Sequence, residues 1–269
     1  MYPILFRLGN FTIRTYGVLI ATAFLVGLFI AQKEGKRKGL GAETVSQLAL
    51  YIIIGAIVGA RLWHVAMYLS EYLKNPIHII AVWHGGLAIQ GGILGGFSAG
   101  IWFAKRRKLP VWKLADTIAP GIALGTAVGR WACFFSGDSY GKPTNLPWGI
   151  TFTNPNSMIP PELLGVKLHP AQLYTSFSML LVFGALWEIR KRPTYDGFLF
   201  FLYLILYSAV RFAMEFVRAD TMMLGYLSVA QTTAVVATII SVIALWKLRP
   251  STEKGQKPRF FPKNSVSIK

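Results

Sequence analysis

The chain has 269 residues, 54% of them hydrophobic and only 14% charged, against about 25% charged in an average soluble protein. That balance excludes a disordered chain and argues against a soluble globule; the single cysteine, Cys133, excludes an intramolecular disulfide and a zinc site built on thiolates. A net charge of +17 first suggests nucleic acid, but the basic residues flank apolar segments and form no separate basic domain, so no nucleic-acid partner is expected.

A membrane-spanning helix needs about 20 apolar residues. Seven segments qualify in chain order: 16–31, 44–69, 86–104, 112–135, 170–189, 197–217 and 227–246. The first lacks the charged leader and the small-residue cleavage site of a signal peptide. The second carries Gly55 and Gly59, the third Gly91, Gly92, Gly95, Gly96 and Gly100, and the fourth Gly121, Gly125 and Gly129. Such small-xxx-small spacing lets helix backbones approach closely in lipid. Residues 136–169, rich in Pro, Gly and Asn, form the longest connection and read as an external loop or head. Residues 248–269 form a basic tail. Lys and Arg divide 19 to 6 between alternate connections, with three Arg inside the segments. The positive-inside rule then places the N-terminus outside and the tail in the cytoplasm, against membrane lipid. The expected fold is all-α: a polytopic integral membrane protein of seven transmembrane helices, forming a single transmembrane domain over 1–269.

Charged side chains inside spans mark functional sites by default. At ~1.5 Å per residue, Arg61 lies ~25 Å along its segment, Arg130 ~27 Å and Arg211 ~21 Å, all in the outer half of a core ~30 Å thick. Glu215 follows Arg211 at i+4, on one face with it, and Arg218 continues that face. His64 follows Arg61 at i+3. Gln90 and His84 stand at the outer end of the third segment, and Tyr16 and His169 open the first and fifth on the same side. Arg211 fits snorkelling, a structural pair with Glu215, or function equally. Arg61 and Arg130 sit in glycine-rich stretches and argue more strongly for a site. Several cations beside a headgroup suggest phosphate recognition by the planar guanidinium fork. His64, His78, His84 and His169 lack metal-ligand spacing, and there is no P-loop, so no metal and no cofactor are expected. Cys133 reads as a small packing residue, since nothing near it in sequence activates a thiol.

Residues Gly129-Arg130-Trp131-Ala132-Cys133-Phe134-Phe135-Ser136-Gly137-Asp138-Ser139-Tyr140-Gly141 resemble the signature G-R-x-G-N-F-x-N-x-E-x-x-G of the bacterial prolipoprotein diacylglyceryl transferases. Tyr16-Gly17, Gly59-Ala60-Arg61-Leu62, Trp83 to Gly92, Pro147-Trp148-Gly149, His169 to Tyr174 and Arg211 to Arg218 agree in order and spacing, so the resemblance covers almost the whole chain. It implies a seven-helix fold in the bacterial plasma (inner) membrane, with an active site facing the outer leaflet. It also implies transfer of the diacylglyceryl group of phosphatidylglycerol to the lipobox cysteine thiol of a preprolipoprotein signal peptide, with loss of glycerol phosphate. Arg130, Arg211, Glu215, His84, His64 and Gln90 would then form the catalytic set, and Arg130, Arg61, Tyr16, Asp138, Gly141 and His169 would bind substrate. Arg130 would be the main phosphate ligand. Ala132, Cys133, Ser136 and Asp138 stand where the signature has Gly, Asn, Asn and Glu. Gln90 stands where many members have a histidine proposed as the base, and a neutral amide cannot accept the proton. Either the base is one of His84, His64, Glu215 and Asp138, the two histidines first, or the thiolate forms without one. The competing readings are a paralogue with another acceptor and a phospholipid transporter or flippase. A transporter usually has internal repeats, which this chain lacks.

Overall fold

The computed structural model describes residues 2–8, 11–82, 85–192, 194–219, 223–224 and 226–249. Helices form over all seven apolar segments: α1 (Thr15–Arg37), α2 (Ala42–Met67), α4 (Ile89–Arg106), α5 (Val111–Ser136), α6 (Ala171–Ile189), α7 (Phe198–Met214) and α8 (Val229–Leu248). A short α3 (Leu69–Lys74) follows α2. Four of them, α1, α2, α5 and α8, are long and apolar enough by themselves to cross a membrane, and α7 is apolar over 17 residues.

The all-α expectation needs one amendment. Among the described residues there are three two-stranded antiparallel sheets, pairing β1 (Ile4–Leu8) with β2 (Phe11–Arg14), β3 (Ile150–Thr151) with β4 (Lys167–Leu168), and β5 (Met223–Leu224) with β6 (Leu227–Ser228). All lie at the end of the bundle that carries residues 137–170, here the head end; the opposite, basic end carries the 107–110 loop. Backbone that leaves a helix there still needs hydrogen-bond partners, and the sheets supply them. The apolar pattern also misjudged some ends. α1 continues six residues past 31. α4 starts at Ile89 rather than 86, because Gly85 and Gly86 adopt φ of 86° and 72°, outside the right-handed helical region. α7 stops at Met214, leaving Glu215 as its capping residue. The tail beyond residue 249 and His84 lie outside the described residues.

Two close helix pairs organise the bundle. α2 packs on α4 so tightly that a Cβ on Gly55 would sit 2.7 Å from the Gly95 carbonyl oxygen, and α1 packs on α5 with a Cβ on Gly27 2.8 Å from that of Gly121. α6, α7 and α8 continue outward from α5 around a core of Ala119, Ala123, Ala127, Met179, Leu186 and Leu199. The two pairs meet mainly at the basic end. There Gln32 donates to Ser46 at 2.8 Å, and Leu48, Phe103, Ala104 and Leu114 form a common cluster. Away from that joint, α1, α2 and α5 leave a space between them.

Candidate functional site

That space is an apolar cavity of about 490 Å³, within the usual range for a ligand site. It is lined by Ala23, Gly27, Gly121 and Gly125 together with larger apolar residues such as Phe24, Leu28 and Ile122, and at the head end it reaches Arg130 and Cys133. α5 ends just beyond. Gly137 takes the left-handed conformation at φ 83°, and the backbone N–H groups of Gly137 and Asp138 both donate to the Cys133 carbonyl, at 2.9 and 3.0 Å. This turn folds Asp138 back over the last helical turn. The Cys133 thiol lies in the electrostatic field of the Arg130 guanidinium and the Asp138 carboxylate, and the Tyr16 hydroxyl lies in the field of all three. Tyr16, Arg130 and Asp138, singled out separately in the sequence, thus meet at one mouth.

Gln172, in the first turn of α6, holds this mouth from the side. Its amide donates to the Asp138 carbonyl at 2.8 Å, and Ser139 donates to the Asp138 carboxylate at 3.3 Å. Gln172 is 1% exposed, and its own carbonyl oxygen has no partner among the described residues. Leaving a buried acceptor unpaired costs about 1–3 kcal/mol, a cost tolerated most readily beside a site. Sequence reading passed over this residue, although it stands in the quoted stretch from His169 to Tyr174.

Arg61 behaves differently. It is 5% exposed, and all five of its N–H groups are committed to backbone carbonyls. Nε donates to Ile79 at 2.9 Å, one terminal nitrogen to Gly85 at 2.5 Å and Gly86 at 2.9 Å, and the other to His78 and to Ala81 at 3.3 Å. The Tyr72 ring covers it at 5.1 Å. The fork expected for phosphate here holds the backbone at His78, Ile79, Ala81, Gly85 and Gly86. His64 stacks near Tyr68 and, with Arg61, Glu71, Tyr72, His78, Gly85 and Gly86, lines a second cavity of about 330 Å³. The two cavities share no lining residue. Gln90 is exposed at the second position of α4.

Arg211 and Glu215 form the expected i, i+4 ion pair at 2.5 Å, with Glu215 buried. The chain after α7 is stitched to the segment leaving Asp138. Lys142 N–H donates to Val217 at 2.8 Å, its ammonium to Phe216 at 3.0 Å, and Gly141 bridges to Arg218. Gly141 needs to be glycine, because a Cβ there would lie 2.5 Å from the His169 carbonyl oxygen. His169 approaches the Tyr174 hydroxyl at 3.5 Å, and Trp148 donates to that hydroxyl at 2.7 Å. Gly141 and His169 therefore pack the head against α6.

At the basic end two buried acids, Glu34 and Asp116, were not among the sequence candidates. Glu34 receives Arg37 at 2.8 and 2.5 Å and Arg190 at 3.2 Å. Asp116 accepts the N–H groups of Gly197 and Phe200, both at 2.9 Å, at the start of α7, and faces Lys38 at 3.5 Å. Burial pushes the Lys38 ammonium below its ordinary pKa, and Asp116 only partly opposes this. The available signal was an acid among apolar residues at position 116.

Residues 3–247 match the model of the family described as prolipoprotein diacylglyceryl transferase. Similar proteins include the phosphatidylglycerol–prolipoprotein diacylglyceryl transferases of Nostoc sp., 40% identical over 250 residues covering 90% of this chain and 88% of the relative, and of Trichormus variabilis, 40% identical over 268 residues covering 96% and 94%. The enzyme of the same name from Bacillus mycoides is 40% identical over 238 residues, 88% of each chain.

Proposed function

The chain belongs to the prolipoprotein diacylglyceryl transferase family, and on that premise we propose that it moves the diacylglyceryl group of phosphatidylglycerol to the lipobox cysteine of a preprolipoprotein. This is the first step of lipoprotein maturation. One observation carries the reading: a guanidinium, Arg130, stands with a carboxylate at the mouth of an apolar cavity made by α1, α2 and α5. The acyl portion lies in the cavity, and the phosphate lies on Arg130. The acceptor sulfur attacks the glyceryl carbon that bears the phosphate ester. The C–S bond forms as the C–O bond breaks, and glycerol phosphate leaves with the electron pair. Arg130 stabilises the charge that develops on the departing phosphate, assisted by the Arg211–Glu215 pair. Asp138 receives the thiol proton, a role its position over Cys133 favours over His64, which lines the other cavity.

In this reading seven helices cross a bacterial plasma membrane, with the N-terminus and the 136–169 head outside, the tail in the cytoplasm and the mouth facing the outer leaflet. The 19-to-6 division of basic residues supports it. The cavity also ends on a packed floor, which suits a lipid held from one leaflet better than a lipid passed across the membrane. The test is transfer from phosphatidylglycerol to a lipobox peptide by purified enzyme. Arg130→Ala abolishes thioether formation while the protein remains inserted, and Arg130→Lys restores little, because an ammonium lacks the bidentate fork. Near-normal turnover by Arg130→Ala would make that residue structural.

A further inference from the structure

We infer that the closed end of the apolar cavity is a length gauge for an acyl chain of the donor lipid, with Ala31, Val45, Ala49 and Ile118 setting the limit. This rests on the reading that the cavity holds that lipid and adds chain-length selection to it. From Arg130 back to Ile118 is twelve residues of α5, ~18 Å of helix, and from Ile20 to Ala31 along α1 is ~16 Å. One leaflet of a hydrocarbon core ~30 Å thick is ~15 Å. A chain whose headgroup sits on Arg130 therefore brings its terminal carbons to the floor.

The floor is rigid for two independent reasons. Val45 is wholly buried, and its side chain fills the place that a Cβ on Gly35 would occupy, with the Thr117 methyl beyond. Immediately past this plug lie the Glu34–Arg37–Arg190 and Lys38–Asp116 ion pairs. An apolar chain end driven among them would separate buried charges from their partners, which a protein interior resists strongly. Val45, Ile52 and Ile118 line the cavity at this end, beside Ala31 and Ala49.

The experiment uses full-length enzyme, a lipobox peptide and phosphatidylglycerols with chains from about twelve to about twenty carbons, bracketing one leaflet. The wild-type rate falls beyond a limiting length. Ala31→Leu and Ala49→Leu lower that limit and raise the short-to-long rate ratio by about tenfold, as overpacking of a filled site would, whereas Val45→Ala raises the limit. Profiles of unchanged shape in active variants overturn the gauge and leave the transfer reading intact; a wild-type enzyme that transfers from none of these lipids overturns the reading beneath it. Cross-linking of the wild type by phosphatidylglycerol with a photoreactive group at the chain terminus needs no variant to fold. Adducts on residues 31–52 and around Ile118 are expected. Adducts confined to outward-facing residues such as Phe29 and Trp246 overturn the proposal.

Discussion

Replacing Arg61 by alanine removes five donors from five backbone carbonyls between His78 and Gly86 in a single step. A hydrogen bond from a charged donor contributes about 1.5–3 kcal/mol where water is excluded and about 1 kcal/mol where water can substitute. Four of the five bonds are only partly buried and the fifth is buried, so the loss is about 5–7 kcal/mol, with the Tyr72 contact adding about 0.5–1 kcal/mol. For a protein of this size that corresponds to a fall in Tm of roughly 10–16 °C. Arg61→Lys recovers less than half, because three donors on one nitrogen cannot reach carbonyls spread around a planar fork. The assay is thermal unfolding in lipid nanodiscs alongside limited proteolysis. Both substitutions expose the 76–86 segment to cleavage. An Arg61→Ala protein with an unchanged Tm and an intact segment, but weakened affinity for phosphatidylglycerol, would refute the reasoning and return Arg61 to the substrate.

Asp138→Asn lowers the transfer rate by about 10²–10³-fold, the scale of general base catalysis, without weakening phosphatidylglycerol binding; binding and turnover measured separately decide it, and a rate within threefold of the parent excludes Asp138 as the base. Because burial depresses the pKa of Lys38, the unfolded chain holds that proton more tightly, so stability rises as pH climbs toward the ordinary lysine value of ~10.4. Lys38→Gln removes this slope, and chemical unfolding from neutral to alkaline pH compares the two; parallel curves count against the burial argument. Reporter fusions after residues 108, 192 and 250 should register cytoplasm, and fusions near 74 and 155 the outside; a reversal on either side of α5 would sink the topology.

How much of this was legible beforehand follows from what kind of information each feature needs. The seven helices needed only runs of apolar residues, and the pairing of α2 with α4 was foreshadowed by glycines one turn apart. Helix ends were harder, because Gly85 and Gly86 look like helix in composition and differ only in φ. Tyr16, Arg130 and Asp138 were each singled out, but their meeting depends on the left-handed turn at Gly137, which a linear spacing does not convey. Arg61 was read as a phosphate ligand because its partners are carbonyls, and carbonyls carry no residue identity. Asp116 is an acid inside the fourth segment, as costly to leave unpaired as the cations there, whereas Glu34 lies just past the first segment, and its partner Arg190 is far off in sequence.

The order in which the chain is made gives the two helix pairs unequal histories. The α2–α4 pair closes through glycines no more than about 40 positions apart, and the Arg61 knot spans at most 25 residues, so this hairpin can mature as soon as it leaves the ribosome. The partner of α1, by contrast, is α5, about 95 residues downstream at the Gly27–Gly121 contact. Until α5 is synthesised, α1 has only its contact with α2 at the basic end, and neither the lipid-binding space nor its gauge exists. Translocation machinery thus handles one finished subassembly and one waiting helix, and the enzyme gains a site only once the second half of its membrane domain has been laid down.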